Sequence, residues 1–69
     1  MPISARNQLR GNVTSIKLGE VMAEVVVAVG EHEIVSVVTR HSVEELGLAE
    51  GDEVTAIIKS TEVMLATDI

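Results

Sequence analysis

The stretch V-M-A-E-V-V-V-A-V-G-E-H-E-I-V-S-V-V-T-R, residues 21–40, decides the fold. Its first part, 21–29, is almost continuously apolar and rich in valine. Valine loses side-chain freedom in a helix and packs well on a pleated surface. An apolar run of that length is expected of a strand covered on both faces. Gly30-Glu31 follows, with glycine at the first central position of a two-residue hairpin turn, where a type II′ turn needs it. The segment 33–40, E-I-V-S-V-V-T-R, is the returning strand.

On the N-terminal side, residues 4–18 read as another strand. Leu9, Gly11 and Val13 share one face, while Ile16 and Leu18 fall on the other. A change of face within one run calls for a bend or bulge, and Gly11 is the expected place. On the C-terminal side, Ser42-Val43-Glu44-Glu45-Leu46-Gly47 is the one helical signal. Ser42 can cap, Glu45 completes a capping box and Gly47 can end the helix. The acidic residues suit the positive end of the helix dipole. Glu50-Gly51-Asp52 is a turn, 53–60 a fourth strand and 62–66 a fifth. Five short strands with a helix between the third and fourth predict an all-β, OB-like Greek-key barrel.

The 69 residues make one domain, 1–69, which buries a modest core by itself. There is no cysteine, so disulfides and thiolate metal sites are excluded, and two histidines are too few for a structural zinc without carboxylates. Subunit association is the remaining way to stabilise so small a chain. The 46% hydrophobic content, all aliphatic, is hard to hide within one copy. A net charge of −6 opposes nucleic-acid binding, and the absence of aromatics removes base-stacking platforms. No apolar run is long enough for a membrane helix. No signal peptide is recognisable, so the expected compartment is the cytoplasm.

No enzyme signature stands out. His41 lies beside Ser42, but chain neighbours often point apart, and neither His41 nor His32 has a recognisable catalytic partner. The acidic residues 44, 45, 50, 52 and 53 read as a solvated face. No glycine-rich phosphate loop is present. The five cations are more informative. Ser4-Ala5-Arg6 opens the chain, Lys59-Ser60-Thr61 nearly closes it, and Thr39-Arg40-His41-Ser42 enters the helix. Arginine and lysine offer several N–H donors each, and each hydroxyl offers one. A helix start adds backbone N–H groups. Such donors suit a tetrahedral dianion. Each also has a plain alternative: Arg6 as a surface arginine, Lys59 as an exposed strand end, Ser42 as a cap only, Thr39 as a β-former.

The segments I-S-A-R-N-Q-L-R-G-N-V, S-V-V-T-R-H-S-V-E-E-L-G and V-T-A-I-I-K-S-T-E-V-M together closely resemble the molbindins, or Mop proteins. The resemblance spans essentially the whole chain. It implies an OB-like barrel, a homohexamer built as a trimer of dimers, and non-catalytic binding of molybdate or tungstate between subunits. It implies no covalent cofactor and no metal ion held directly by side chains. The implied oxyanion ligands are Ser4, Ala5 (through its amide), Arg6, Lys59 and Ser60, with Thr39 and Ser42 from a neighbouring subunit. It also implies a second kind of site near a threefold axis, made largely of backbone groups and assigned here to no residue. With no helix-turn-helix and no nucleotide loop, storage or buffering of the oxyanion is the expected role. The alternative is a structural or sensory oligomerisation module that docks on a partner.

Overall fold

The computed structural model describes residues 2–67. Strands β1 (Asn7–Leu18), β2 (Met22–Val29) and β3 (His32–Thr39) lead into helix α1 (Arg40–Leu46), followed by strand β4 (Glu53–Ile58) and a single 3-10 turn, Ser60–Glu62. The four strands form one antiparallel sheet in the order β3-β2-β1-β4. The protein is therefore mostly β, with a short helix between the third and fourth strands, as expected.

The central hairpin forms as read. Val29 pairs with His32 across Gly30-Glu31. Gly30 has φ of 59°, and among the described residues none other than glycine has a positive φ, so Glu31 does not, as the II′ geometry requires. β1 does break its register, but not at Gly11. Val13 faces Val27 while Ser15 faces Val26, so Thr14 is the extra residue of a bulge. The bulge restores the apolar face. It sets Ile16 opposite Val25 and Leu18 opposite Ala23, on the side where Val13 meets Val27. Gly11 serves a different need. A Cβ there would run into the Ala28 carbonyl and two valine methyl groups, so this position lets two backbones approach.

The helix starts three residues earlier than a Ser42 cap would place it, and Thr39, not Ser42, is its cap. Thr39 is extended, and its Oγ1 accepts from the Ser42 amide at 3.0 Å. Ser42 is thus the third helical residue, and Glu44 and Glu45 fall beyond the first turn, which holds no acid. Glu45 forms no capping box and meets His41 Nε2 at 2.8 Å instead. The far end behaves as read. Gly47 is left-handed at φ 63°, its amide bonds to Glu44 O, and the Leu48 amide bonds to Val43 O. That pair of bonds is a Schellman ending. Its apolar contact is present too, since Leu48 packs against the core that contains Val43.

The core consists of Val13, Ala23, Val25, Val27 and Val43, with Ile16, Val29, Ile34, Val38, Leu48 and Val54 packed against it. Full burial of a valine contributes about 1.5–3 kcal/mol, so this is little core for a chain of 69 residues. The fifth strand at 62–66 does not form within the chain. Ser60–Glu62 turn, and the following residues up to 67 take no regular structure. Met64 and Leu65 are 92% and 93% exposed. β3 and β4 consequently remain open edges of the sheet. Between them lies an apolar cleft of about 690 Å³, with Ile34, Val38, Leu48, Val54 and Ile58 in its walls and Lys59 and Glu62 among its polar lining.

Candidate functional site

The ladder between β1 and β4 brings the two ends of the chain together. Asn7, the first residue of β1, pairs with Ile58, the last residue of β4. Arg6 and Lys59 are each one residue beyond that final pair, and Ala5 and Ser60 one further. Two motifs more than fifty positions apart in sequence thus meet at one strand end because an antiparallel register places them there. Ser4, Arg6, Lys59 and Ser60 are exposed and Ala5 is half-buried. Two further side chains shape this end. Asn7 Nδ2 donates to the Ile58 carbonyl at 3.2 Å, and Gln8 Nε2 donates to the Ala5 carbonyl at 2.7 Å.

Thr39 and Ser42 form a second cluster. Their hydroxyl oxygens are 2.8 Å apart. The Ser42 amide is already taken by the Thr39 oxygen, and one of the two hydroxyl protons is used between them, which leaves the other hydroxyl proton to meet a ligand. Arg40 is directed elsewhere. Its Nη1 donates to Gly19 O at 3.2 Å, its Nε meets Glu44 Oε2 at 3.3 Å, and its amide donates to Val21 O at 2.8 Å. These bonds tie the β1–β2 turn to the start of the helix.

The two clusters stand at opposite ends of β1. Arg6 precedes its first residue, Asn7, whereas Thr39 pairs with Met22 beside the turn that follows its last residue, Leu18. β1 is twelve residues long, so its ends lie at most roughly 36 Å apart at about 3.3 Å per step. No hydrogen bond or ion pair among the described residues joins one cluster to the other.

The chemistry available is donation to an anion. The strand-end cluster has two permanent cations with hydroxyls beside them, and charge-assisted hydrogen bonds of that kind are the strong ones. The described residues hold no grouping of three His, Asp or Glu side chains fit for a metal ion. Ser42 Oγ is engaged by Thr39 and His41 by Glu45, so the neighbouring serine and histidine do not form a nucleophile–base pair. None of the described helices is long and apolar enough to cross a membrane. Asn7 and Gln8 were not marked as site residues by sequence reasoning, although they lie inside the S-A-R-N-Q-L motif. What sets them apart is a bond from each side chain to a backbone carbonyl, which only the fold reveals.

Donor clusters at the strand ends of this small antiparallel sheet are suited to binding an anion. Comparison with known proteins narrows the class. Residues 3–65 match the TOBE domain. Molybdenum-pterin-binding protein 1 of Clostridium pasteurianum is 54% identical over 66 residues, covering 94% of this chain and 97% of that protein. The solved structure of MopII from Clostridium pasteurianum superposes with a TM-score of 0.90 at 52% identity, over 96% of this chain and 100% of that one. A molybdate-binding protein from Sporomusa ovata superposes with a TM-score of 0.93 at 42% identity, over 97% of this chain and 100% of that one. The chain belongs to the TOBE domain family and, within it, to the Mop-type molbindins. This is a family of binding proteins, not of enzymes.

Proposed function

We propose that this protein reversibly binds molybdate or tungstate in pockets shared between copies of itself, and so stores or buffers the oxyanion in the cytoplasm. The observation that carries the proposal is the placement of the two donor clusters at opposite ends of β1. A complete pocket then needs Ser4, Ala5, Arg6, Lys59 and Ser60 of one copy with Thr39 and Ser42 of another. Arg6 and Lys59 neutralise the dianion, and the hydroxyls and the Ala5 amide orient its oxygens. The similarity to relatives named for molybdenum or molybdate supports the choice of ligand.

Assembly has its own support. The open edges of β3 and β4, the apolar cleft between them and the exposed Val63, Met64 and Leu65 are complementary features. On this reading, residues 62–66 become the fifth strand in a second copy and close its barrel, and the copies build a hexamer as a trimer of dimers. Strand addition to an open edge satisfies backbone groups and buries apolar side chains together. Neither nucleic acid nor membrane is a partner on this reading. A net charge of −6 keeps the particle soluble and slows the approach of anions, which a store tolerates.

The experiment is calorimetric titration with molybdate, tungstate, sulfate and phosphate, read with the mass in solution. Tight binding of molybdate or tungstate to an assembled species, and weak binding of the other two, is the expected result. Equal affinity for molybdate and sulfate overturns the storage reading and leaves an oligomerisation module that docks on a partner.

A further inference from the structure

The pairing of Asn7 with Ile58 ends the β1–β4 ladder, and the next residue on each side is a cation, Arg6 and Lys59. Like charges side by side on adjacent strands repel, so an empty site tends to splay this ladder end. One side chain opposes that. Asn7 is half-buried, and its amide reaches across fifty-one positions of sequence to the Ile58 carbonyl at 3.2 Å. That carbonyl belongs to the peptide whose nitrogen is Lys59's, so the bond fixes the backbone plane entering Lys59. Gln8 acts on the other side. Its bond to Ala5 O at 2.7 Å holds the peptide entering Arg6 in the same manner.

We infer that Asn7 is a positioning residue for oxyanion binding, one that staples Arg6 and Lys59 side by side before any anion arrives, with Gln8 setting the peptide next to Arg6. The inference rests on the oxyanion reading proposed above. Without the staple, only part of the empty protein holds both cations together, and apparent affinity falls in proportion to that fraction. A bound dianion replaces the repulsion by attraction to both cations, so the staple matters most when the site is empty.

The test compares wild type with Asn7→Ala and the isosteric Asn7→Asp, which keeps the shape and cannot donate the bond. Molybdate titration is expected to show affinity about three- to tenfold lower in Asn7→Ala, the worth of one ordinary hydrogen bond. Asn7→Asp is expected to fall further, because its carboxylate competes with the anion for the same cations. A second readout separates positioning from simple structure. In the ligand-free state at low salt, hydrogen exchange at the amides of the last ladder pairs, Asn7 with Ile58 and Gln8 with Ile57, is faster in Asn7→Ala than in wild type. High salt screens the two cations and narrows that gap, and saturating molybdate narrows it as well. Wild-type affinity in both variants overturns the inference, as does an exchange gap that neither salt nor molybdate changes. Should wild type itself not bind molybdate, the oxyanion reading falls, while the salt dependence of the gap still decides whether Asn7 restrains the two cations.

Discussion

Gly11→Ala tests the fold at its tightest point. Gly11 pairs with Val54 on β4, and a Cβ built on it runs into the Ala28 carbonyl on β2, with Val27 Cγ1 at 2.8 Å and Val29 Cγ2 at 2.9 Å. The valine methyls can turn aside, but the carbonyl is fixed by the sheet. Relief therefore requires β1 and β2 to move apart at the position just before the bulge. Forcing a methyl group into packed structure costs about 1–3 kcal/mol. The opposite expectation is equally definite if that close approach is absent. Gly11 has no positive φ, and at an unstrained strand position alanine stabilises by about 0.4–1 kcal/mol through the unfolded state. The sign of the change alone is therefore decisive. For a domain of this size the expected fall in Tm is roughly 5–20 °C. The assay is thermal unfolding followed by circular dichroism, with both proteins at one protomer concentration because association shifts Tm. An unchanged or raised Tm refutes the packing of β1 on β2 described here.

Three further outcomes are expected. Arg6→Ala removes one of two cations at the strand end, so molybdate binding falls by at least tenfold in calorimetry, while the mass of the ligand-free assembly is unchanged; wild-type affinity removes Arg6 from the site. Thr39→Ala loses the helix cap and costs about 0.5–2 kcal/mol, whereas Thr39→Gly costs only a few tenths, as thermal unfolding at matched concentration shows; equal losses in the two variants mean that the cap contributes nothing. Leu65→Asp places a charge on a segment proposed to add to another copy, so sedimentation shows a smaller species at micromolar protomer; an intact assembly refutes that docking.

Much of the fold was legible in residues 21–40 because the signals there are local. Valine density, a two-residue turn and a glycine at its first position each act within a few residues, and the hairpin follows. The capping of the helix was legible in type but not in place. Thr39 and Ser42 are both good caps, and the pairing of Met22 with Thr39 carries β3 through to Thr39 and leaves Arg40 to begin the helix. The bulge was detectable from the change of face between Val13 and Ile16. Its position was not, because Gly11 offered a conformational reason for a kink while its actual constraint, the Ala28 carbonyl, belongs to another strand. At the site, the donors were readable one motif at a time. That Arg6 and Lys59 share a strand end depends on a register, and register is a property of paired strands that no single motif contains.

The division between what assembles this protein and what it binds follows from where each resource lies. The most exposed large apolar side chains are Met64 and Leu65 near the C-terminal end, Leu46 of the helix, Val35 and Val37 on the open edge strand β3, and Val21 in the β1–β2 turn. The polar donors lie at the two ends of β1, where Thr39 pairs with the exposed Met22. If assembly depended on the anion to bridge copies, the particle would fall apart whenever the oxyanion was scarce, and a store would release its capacity with its cargo. On the proposed reading, apolar burial drives association, so the pockets persist when empty and only the local repulsion of Arg6 and Lys59 opposes emptiness. Binding then draws on charge and hydrogen bonds alone, and little reorganisation offsets it. Among the proposed ligands, only Lys59 also lines the apolar cleft, so most of the two resources can be separated by substitution. A change at Arg6 should act on affinity alone, whereas a change at Leu65 should act on mass and, through loss of the shared pocket, on affinity as well. Among the proposed ligands, the one expected to act directly on both lies where a pocket and the apolar cleft meet, and that is Lys59, which lines the cleft and adjoins the strand end.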